Sequence, residues 1–264
     1  VCFQVTRGEP TTSSRAKIKF VTDTVFLNEY QNSPILEQCS VVIVDEAQER
    51  TIDTDIVLGL MKECLRKRKD LKLIVMFATL DTRLFYDYFA SNFTCEILEV
   101  DGTTYPIEDI YLNVDDENYV QAAVTKAIEI HQNEEVGDIL VFLTDQDEID
   151  LALDALNKKL KNDSSFISLP LHEELSEEET AQLFEKLPDK RKIIFSTDIA
   201  ESSITIDGIK YVIDSGMIKE KLWDGQRKIQ VLNIGQITKN SVQRRRGTAG
   251  IISSGKVRKI IFKC

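Results

Sequence analysis

Short runs of β-favouring apolar residues recur along the chain, each closed by small hydroxyl or acidic residues. Val41-Val42-Ile43-Val44 runs into Asp45-Glu46-Ala47-Gln48-Glu49-Arg50, and Leu73-Ile74-Val75-Met76-Phe77 into Ala78-Thr79-Leu80-Asp81. Ile139-Leu140-Val141-Phe142-Leu143 precedes Thr144, and Ile193-Ile194-Phe195 precedes Ser196-Thr197-Asp198. Runs this short and this apolar predict strands buried inside parallel sheets. Between them the period changes: Ile56, Leu58, Leu60, Met61, Cys64 and Leu65 recur at near-helical spacing, predicting a helix over Asp53–Lys67 with one face on the sheet. Further helices are expected over Thr82–Ala90, Tyr119–His131 and Glu148–Leu160, and further strands near Lys17–Val21, Cys95–Val100, Asp138–Leu143, Lys192–Phe195 and Tyr211–Ile213. The acidic stretch Glu173–Glu185 predicts a solvated helix capped at Ser176, with Glu179 in the capping-box position. Strands alternating with helices predict an α/β fold of βαβ units with parallel sheets. The breaker cluster Gly102-Thr103-Thr104-Tyr105-Pro106 divides the chain into expected domains 1–106 and 107–264.

Composition narrows the class. A chain of 264 residues with 42% hydrophobic content can build one large or two small cores without disulfide staples. Its five cysteines, at 2, 39, 64, 95 and 264, lack CxxC or His-partner spacing, and with no signal peptide they are expected as free thiols in a reducing compartment. No apolar run approaches the ~20 residues that span a bilayer, so a soluble protein without a membrane partner is expected. The net charge of −11 argues against a polyanion partner, but its distribution is uneven. Arg227, Lys228, Lys239, Arg244, Arg245, Arg246, Lys256, Arg258, Lys259 and Lys263 follow Asp224 with no acidic residue among them. Such a tail is either a phosphate-binding stripe or a frayed cationic terminus. His131 and His172 belong to no metal pattern and are expected as ordinary surface or helix residues.

The strand ends carry the candidate chemistry. Open α/β sheets bind ligands at the carboxyl ends of their strands, where Asp45 and Glu46 follow Val41–Val44. An Asp so placed can hold Mg²⁺, which prefers oxygen ligands, and a neighbouring Glu can orient or deprotonate an attacking water. Acidic residues after an apolar strand are equally an ordinary solvated strand exit.

In their order and spacing these segments resemble the helicase core of the DEAH/RHA RNA helicases, of the kind associated with pre-mRNA splicing. The likeness runs from Lys17-Ile18-Lys19-Phe20-Val21-Thr22-Asp23 to Gly255-Lys256. It implies two tandem RecA-like domains, the first truncated at its N-terminus, and ATP with Mg²⁺ as cofactors. By resemblance Asp45, Glu46, Gln48 and Arg245 are the catalytic positions, with the metal on Asp45. Thr22, Asp23, Thr144, Thr197 and Asp198 follow the RNA backbone, and Ala78, Thr79, Glu201 and Ser203 couple the domains. Thr and Asp after a strand are also common turn and cap residues. Implied partners are RNA and spliceosomal or other ribonucleoprotein components, in the nucleus or alternatively the cytoplasm.

The chain departs from that pattern. No GxxxxGK[ST] phosphate loop occurs, and the resemblance places it before residue 1. Gln48 stands at the family's His, Phe77 at the Ser of Ser-Ala-Thr, and Thr24 and Asp145 at glycines. Thr24 therefore sits at a position that could need glycine-like backbone angles. Matching Gly247-Thr248-Ala249-Gly250 to QRxGRAGR puts Arg244 at the Gln, Arg245 at the first Arg, and Thr248 and Ile251 at the other two arginines. A one-residue shift restores Gln243-Arg244 but places Gly247 and Gly250 at arginines. Three readings follow: a helicase impaired in ATP hydrolysis, a catalytically inactive RNA- or spliceosome-binding protein, or a decayed copy with an exposed half-sheet. Trp223, near the family's β-hairpin, is expected to pack beneath it.

Overall fold

The computed structural model describes residues 2–4, 17–77, 82–100, 102, 105–114, 118–201, 204–251 and 253–262. The chain divides into two compact units, Val1–Val100 and Asp101–Cys264, whereas the breaker cluster placed the division after Pro106. The Tyr105 N–H donates to the Gly250 carbonyl at 3.1 Å and the Gly255 N–H to the Pro106 carbonyl at 3.1 Å, so this segment belongs to the second unit.

The first unit comprises β1 (Cys2–Gln4), β2 (Lys19–Val21), α1 (Asp23–Asn32), β3 (Val41–Val44), α2 (Ile52–Lys67), β4 (Lys72–Val75) and α3 (Arg83–Ala90). β1 pairs with β2 and β3 with β4, both in parallel. Burial along β3 alternates: Val42 and Val44 are buried among Val57, Leu58, Met61 and Cys64 of α2, while Val41 and Ile43 are exposed. An apolar run that suggested two covered faces thus has one. On α2 the buried set is Thr54, Val57, Leu58, Met61 and Cys64, a stripe of three- and four-residue steps that leaves Ile56 outside. Residues 94–100, expected to hold a strand, are irregular. Their apolar content has no ladder partner among the described residues, and β-propensity alone does not make a strand. Phe77 stacks on Phe85 with ring centroids 4.9 Å apart, a packing role.

The second unit is built on six parallel strands: β5 (Ile107–Val114), β6 (Asp138–Phe142), β7 (Phe166–Leu171), β8 (Arg191–Ser196), β9 (Ile209–Asp214) and β12 (Gly255–Phe262), in the order β5-β12-β9-β6-β8-β7. The two-residue period divides the central strands between two cores. Ile139, Val141, Ile193, Phe195, Tyr211 and Ile213 face α4 (Tyr119–Asn133) and α5 (Gln146–Lys159). Leu140, Phe142, Ile194 and Val212 face the opposite core with Leu183 of α6 (Glu177–Phe184), Ala200, Ile206 and Ala249. Both faces are covered, as parallel sheets require. The expected capping box at α6 is formed: Ser176 Oγ accepts from the Glu179 N–H at 3.3 Å and Glu179 Oε2 from the Ser176 N–H at 2.9 Å.

Gly216, at φ +70, turns the chain out of β9 into an antiparallel hairpin of β10 (Met217–Asp224) and β11 (Ile229–Gln236). The hairpin forms a separate two-stranded sheet. Trp223 is consequently 64% exposed rather than packed, because a lone ribbon has no inner face. α7 (Lys239–Gly247) follows it, capped by Thr238.

Candidate nucleotide and RNA sites

In the first unit a tight turn holds the acidic pair. Asp45 is exposed at the end of β3, and its Oδ1 accepts the Glu46 N–H at 2.9 Å. Glu46 and Arg50 adopt left-handed backbone angles, φ 51 and 50, which a non-glycine residue keeps only where its surroundings over-determine it. Those surroundings are visible: the buried Ala47 donates its N–H to the Met76 carbonyl at 3.1 Å, the Met76 N–H returns to the Val44 carbonyl at 2.8 Å, and Arg50 grips both oxygens of Asp55. Gln48 Nε2 donates to Glu46 Oε2. Among the described residues no three His, Cys, Asp or Glu side chains are grouped to hold a metal alone. One free Asp45 oxygen beside a second carboxylate suits Mg²⁺ that keeps waters and takes its other ligands from nucleotide phosphates.

Thr22 and Asp23 are structurally engaged. Thr22 Oγ1 caps α1 by accepting the Val25 N–H at 3.4 Å, and Asp23 Oδ2 accepts from the Thr54 hydroxyl. Thr24 lies inside α1 and has no left-handed angle; its hydroxyl donates to Asp53 Oδ2 at 2.8 Å. A β-branched residue is therefore accommodated where glycine-like angles were anticipated. Ala78, Thr79 and Ser203 lie outside the described residues.

In the second unit Thr144, Thr197 and Asp198, on loops after β6 and β8, line one cavity of about 370 Å³. Asp145, Asp147, Glu173 and Glu174 line it too, facing Lys219 and Lys221 of the hairpin. Thr144 donates its N–H to Glu148 Oε2 at 2.9 Å, and its Oγ1 is buried beside the Tyr119 hydroxyl. Thr197 Oγ1 donates to Glu173 Oε1 at 3.3 Å. Partial burial, then the Glu201 and Glu173 charges, holds the Asp198 carboxyl above the usual carboxylate range, although the residue as a whole is exposed. Asp145 does two things at once: Oδ1 caps α5 by accepting the Glu148 N–H at 3.0 Å, and Oδ2 accepts from Lys219 Nζ at 2.5 Å. Burial pushes its carboxyl up, but Lys219 and the backbone donors outweigh this and leave it below the usual range.

From Arg244 to Lys259 the basic residues are tied to carboxylates of their own unit rather than laid out as a stripe. Arg245 is fully buried, donating to Glu201 Oε1 at 2.8 Å, Asp214 Oδ1 at 2.9 Å and the Met217 carbonyl at 3.1 Å, with its guanidinium 4.8 Å from the Phe142 ring centroid. Assigned to catalysis by resemblance, it is enclosed by its own unit. Arg244 pairs with the other Glu201 oxygen at 3.2 Å, and Arg246 with Asp109 at 2.8 Å. Lys256 and Arg258 both pair with Glu134, and Lys259 with Asp109. Acidic residues far away in the chain absorb the charge that sequence proximity concentrates. Thr248 and Ile251 line a second cavity of about 180 Å³ with Glu201, Thr205 and Arg244. Sequence reasoning missed Asp214 and Lys219; an Asp-Ser-Gly turn after an apolar run was the available signal for the first, and nothing local marked the second. His172 departs from the expected surface or helix position, being buried with its Nδ1 accepting the Glu174 N–H at 3.3 Å, whereas His131 lies in α4 as expected, packing against Phe166 and bonding Asp163 at 3.1 Å.

A parallel sheet covered on both faces with hydroxyl residues at its strand ends, preceded by a unit whose strand ends in Asp-Glu, is the form of an α/β nucleotide-binding core. The model of the helicase conserved C-terminal domain matches residues 121–244. The pre-mRNA-splicing factor ATP-dependent RNA helicase prp22 of Schizosaccharomyces pombe is 40% identical over 95% of this chain and 22% of its own length. The ATP-dependent RNA helicase DEAH12, chloroplastic, of Arabidopsis thaliana is 39% identical over 94% of this chain and 14% of its length. Among solved structures, the Escherichia coli DEAH/RHA helicase HrpB matches with a TM-score of 0.86 and 26% identity over 98% of this chain and 33% of that one. The chain carries part of a DEAH/RHA helicase core, in RecA-like α/β form, and spans only a minor share of these relatives' length.

Proposed function

We propose that this chain acts on RNA as the core of a DEAH-type helicase whose RNA-facing loops are kept and whose ATP hydrolysis is slow or absent. The observation that carries the reading is the engagement of α7. Arg244, Arg245 and Arg246 each pair with a carboxylate of their own unit, while Thr248 and Ile251 occupy the remaining arginine positions of the motif. An arginine that stabilises the transferring phosphate is worth ~10³ to 10⁵ in rate in related enzymes, and neither a hydroxyl nor a butyl group supplies positive charge.

ATP and Mg²⁺ remain the cofactors this reading implies, with Asp45 as the protein's metal ligand. The metal, when bound, neutralises charge on the phosphates. Glu46, pinned by its left-handed turn and by Gln48, is the residue to orient an attacking water. Thr22 and Asp23 in the first unit and Thr144, Thr197 and Asp198 in the second contact the sugar and phosphate of single-stranded RNA without reading its sequence. Ala78, Thr79, Glu201 and Ser203 are proposed to couple the two units. The splicing factors among the relatives support ribonucleoprotein partners and a nuclear location. No helix among the described residues is long and apolar enough to cross a membrane.

RNA-stimulated phosphate release tests the reading. Turnover at or near background, unchanged by Glu46→Gln, together with measurable RNA binding, is expected. Turnover at ordinary helicase rates that Glu46→Gln abolishes would overturn the impairment. The runner-up, a catalytically inactive RNA- or spliceosome-binding protein, is favoured by the same enclosed arginines, and residual slow turnover that Glu46→Gln removes would separate an impaired helicase from it.

A further inference from the structure

The cavity at the ends of β6 and β8 poses an electrostatic problem for a phosphate backbone. Asp145, Asp147, Glu173, Glu174 and Asp198 line it, against two lysines, Lys219 and Lys221. One of these lysines is already engaged. Lys219 Nζ lies 2.5 Å from Asp145 Oδ2, with the two side chains 28% and 20% exposed. The pair links the β6–α5 loop to the base of the hairpin, two elements with no other reason to share charge. The rim therefore holds a cation already neutralised by an internal carboxylate.

We propose that Asp145 is a built-in competitor for RNA phosphate: it holds Lys219 in an internal ion pair at the rim of this cavity, and RNA binds there by exchanging the carboxylate for a backbone phosphate. The inference rests on the RNA reading above and adds a residue that limits affinity. The exchange has a defined cost. A lysine that starts free releases counterions from the phosphate it neutralises, whereas one that must leave Asp145 strands a carboxylate that recruits a cation in turn. Asp145 thus weakens binding and flattens its salt dependence at once. The carboxylate is retained structurally because its Oδ1 caps α5, a role that an amide also fills.

The test is fluorescence-anisotropy titration of a labelled single-stranded oligouridylate against the full chain and the Asp145→Asn, Lys219→Ala and double variants over a range of salt. Asn keeps an acceptor for the Glu148 N–H, and melting curves of each variant show whether the fold is retained. Asp145→Asn is expected to bind about two- to fivefold tighter, the scale of one partly exposed ion pair, with a salt slope steeper by about 0.7. Lys219→Ala in the Asp145→Asn background is expected to erase the gain. Unchanged affinity in Asp145→Asn, or a gain that persists in the double variant, overturns the proposal while leaving RNA binding itself intact. Absence of RNA binding in every variant, the wild type included, removes the RNA reading and this proposal with it.

Discussion

Arg245 Nε donates to Glu201 Oε1 at 2.8 Å inside the second unit, where the arginine side chain is 0% and the glutamate 4% exposed. The same guanidinium holds Asp214, whose Oδ1 also accepts the Gly216 N–H at 2.9 Å at the turn into the hairpin. One buried cation thus ties the turn after β8, the end of β9 and α7 together. Burying charges is costly, and the geometry that offsets the cost is specific to all three partners.

Truncating that cation strands the buried Asp214 carboxylate and leaves Glu201 with Arg244 alone. Arg245→Ala is expected to destabilise the second unit by about 3–5 kcal/mol, whereas Arg246→Ala, which breaks a partly exposed pair with Asp109, costs about 1 kcal/mol or less. Urea denaturation of both variants checks the contrast, and equal costs would show that the Arg245 network is not what holds these elements.

RNA binding is expected to depend on the hairpin lysines rather than on the arginines of α7. Lys221 lines the strand-end cavity, so Lys221→Ala is expected to weaken binding and lower the salt slope by about 0.7. Arg246→Gln, already paired internally, is expected to leave that slope unchanged. A larger loss of affinity in Arg246→Gln than in Lys221→Ala would return the basic segment to the RNA interface.

Asp138 is expected to contribute stability that is lost as pH rises through its titration, opposite in sign to the contribution of carboxylates held low by ion pairs, such as Asp109 and Glu134. Burial holds its carboxyl above the ordinary carboxylate value, despite the Lys192 N–H that donates to Oδ1 at 2.9 Å. A raised acid binds its proton more tightly in the folded than in the unfolded protein. Its contribution is therefore greatest below the ordinary carboxylate value and declines until pH passes the raised one. Asp138→Asn, which keeps an acceptor without the charge, is expected to remove this loss, so that its melting temperature relative to wild type rises with pH across the acid range.

Thr24→Gly, which installs the family residue, is expected to loosen α1 by about 1 kcal/mol through the lost bond to Asp53 and the freer backbone. Hydrogen exchange of the α1 amides measures it; protection equal to or above wild type would show that glycine is the better fit there.

Much of the fold is legible without coordinates. Val41–Val44, Asp138–Phe142 and Arg191–Ser196 are strands where apolar runs meet hydroxyl or acidic exits, and the Ser176–Glu179 cap is formed where its spacing predicts. Other elements were not legible. β12 alternates lysine and arginine with apolar residues, so its charges read as a tail, and α7 is almost wholly polar and has no apolar stripe. The strand expected at Cys95–Val100 is absent because a strand needs a partner, which composition does not supply.

The order of strand-end motifs, and the loss of arginines at Thr248 and Ile251, belong to the sequence alone, because each is a matter of which residue follows which. Where the charges go was decided only by tertiary structure. Arg246 meets Asp109 across 137 positions of chain, Arg245 meets Asp214 across 31, and Lys219 meets Asp145 across 74. An ion pair depends on a few ångströms of separation in space, and the sheet order β5-β12-β9-β6-β8-β7 brings these distant residues within that range.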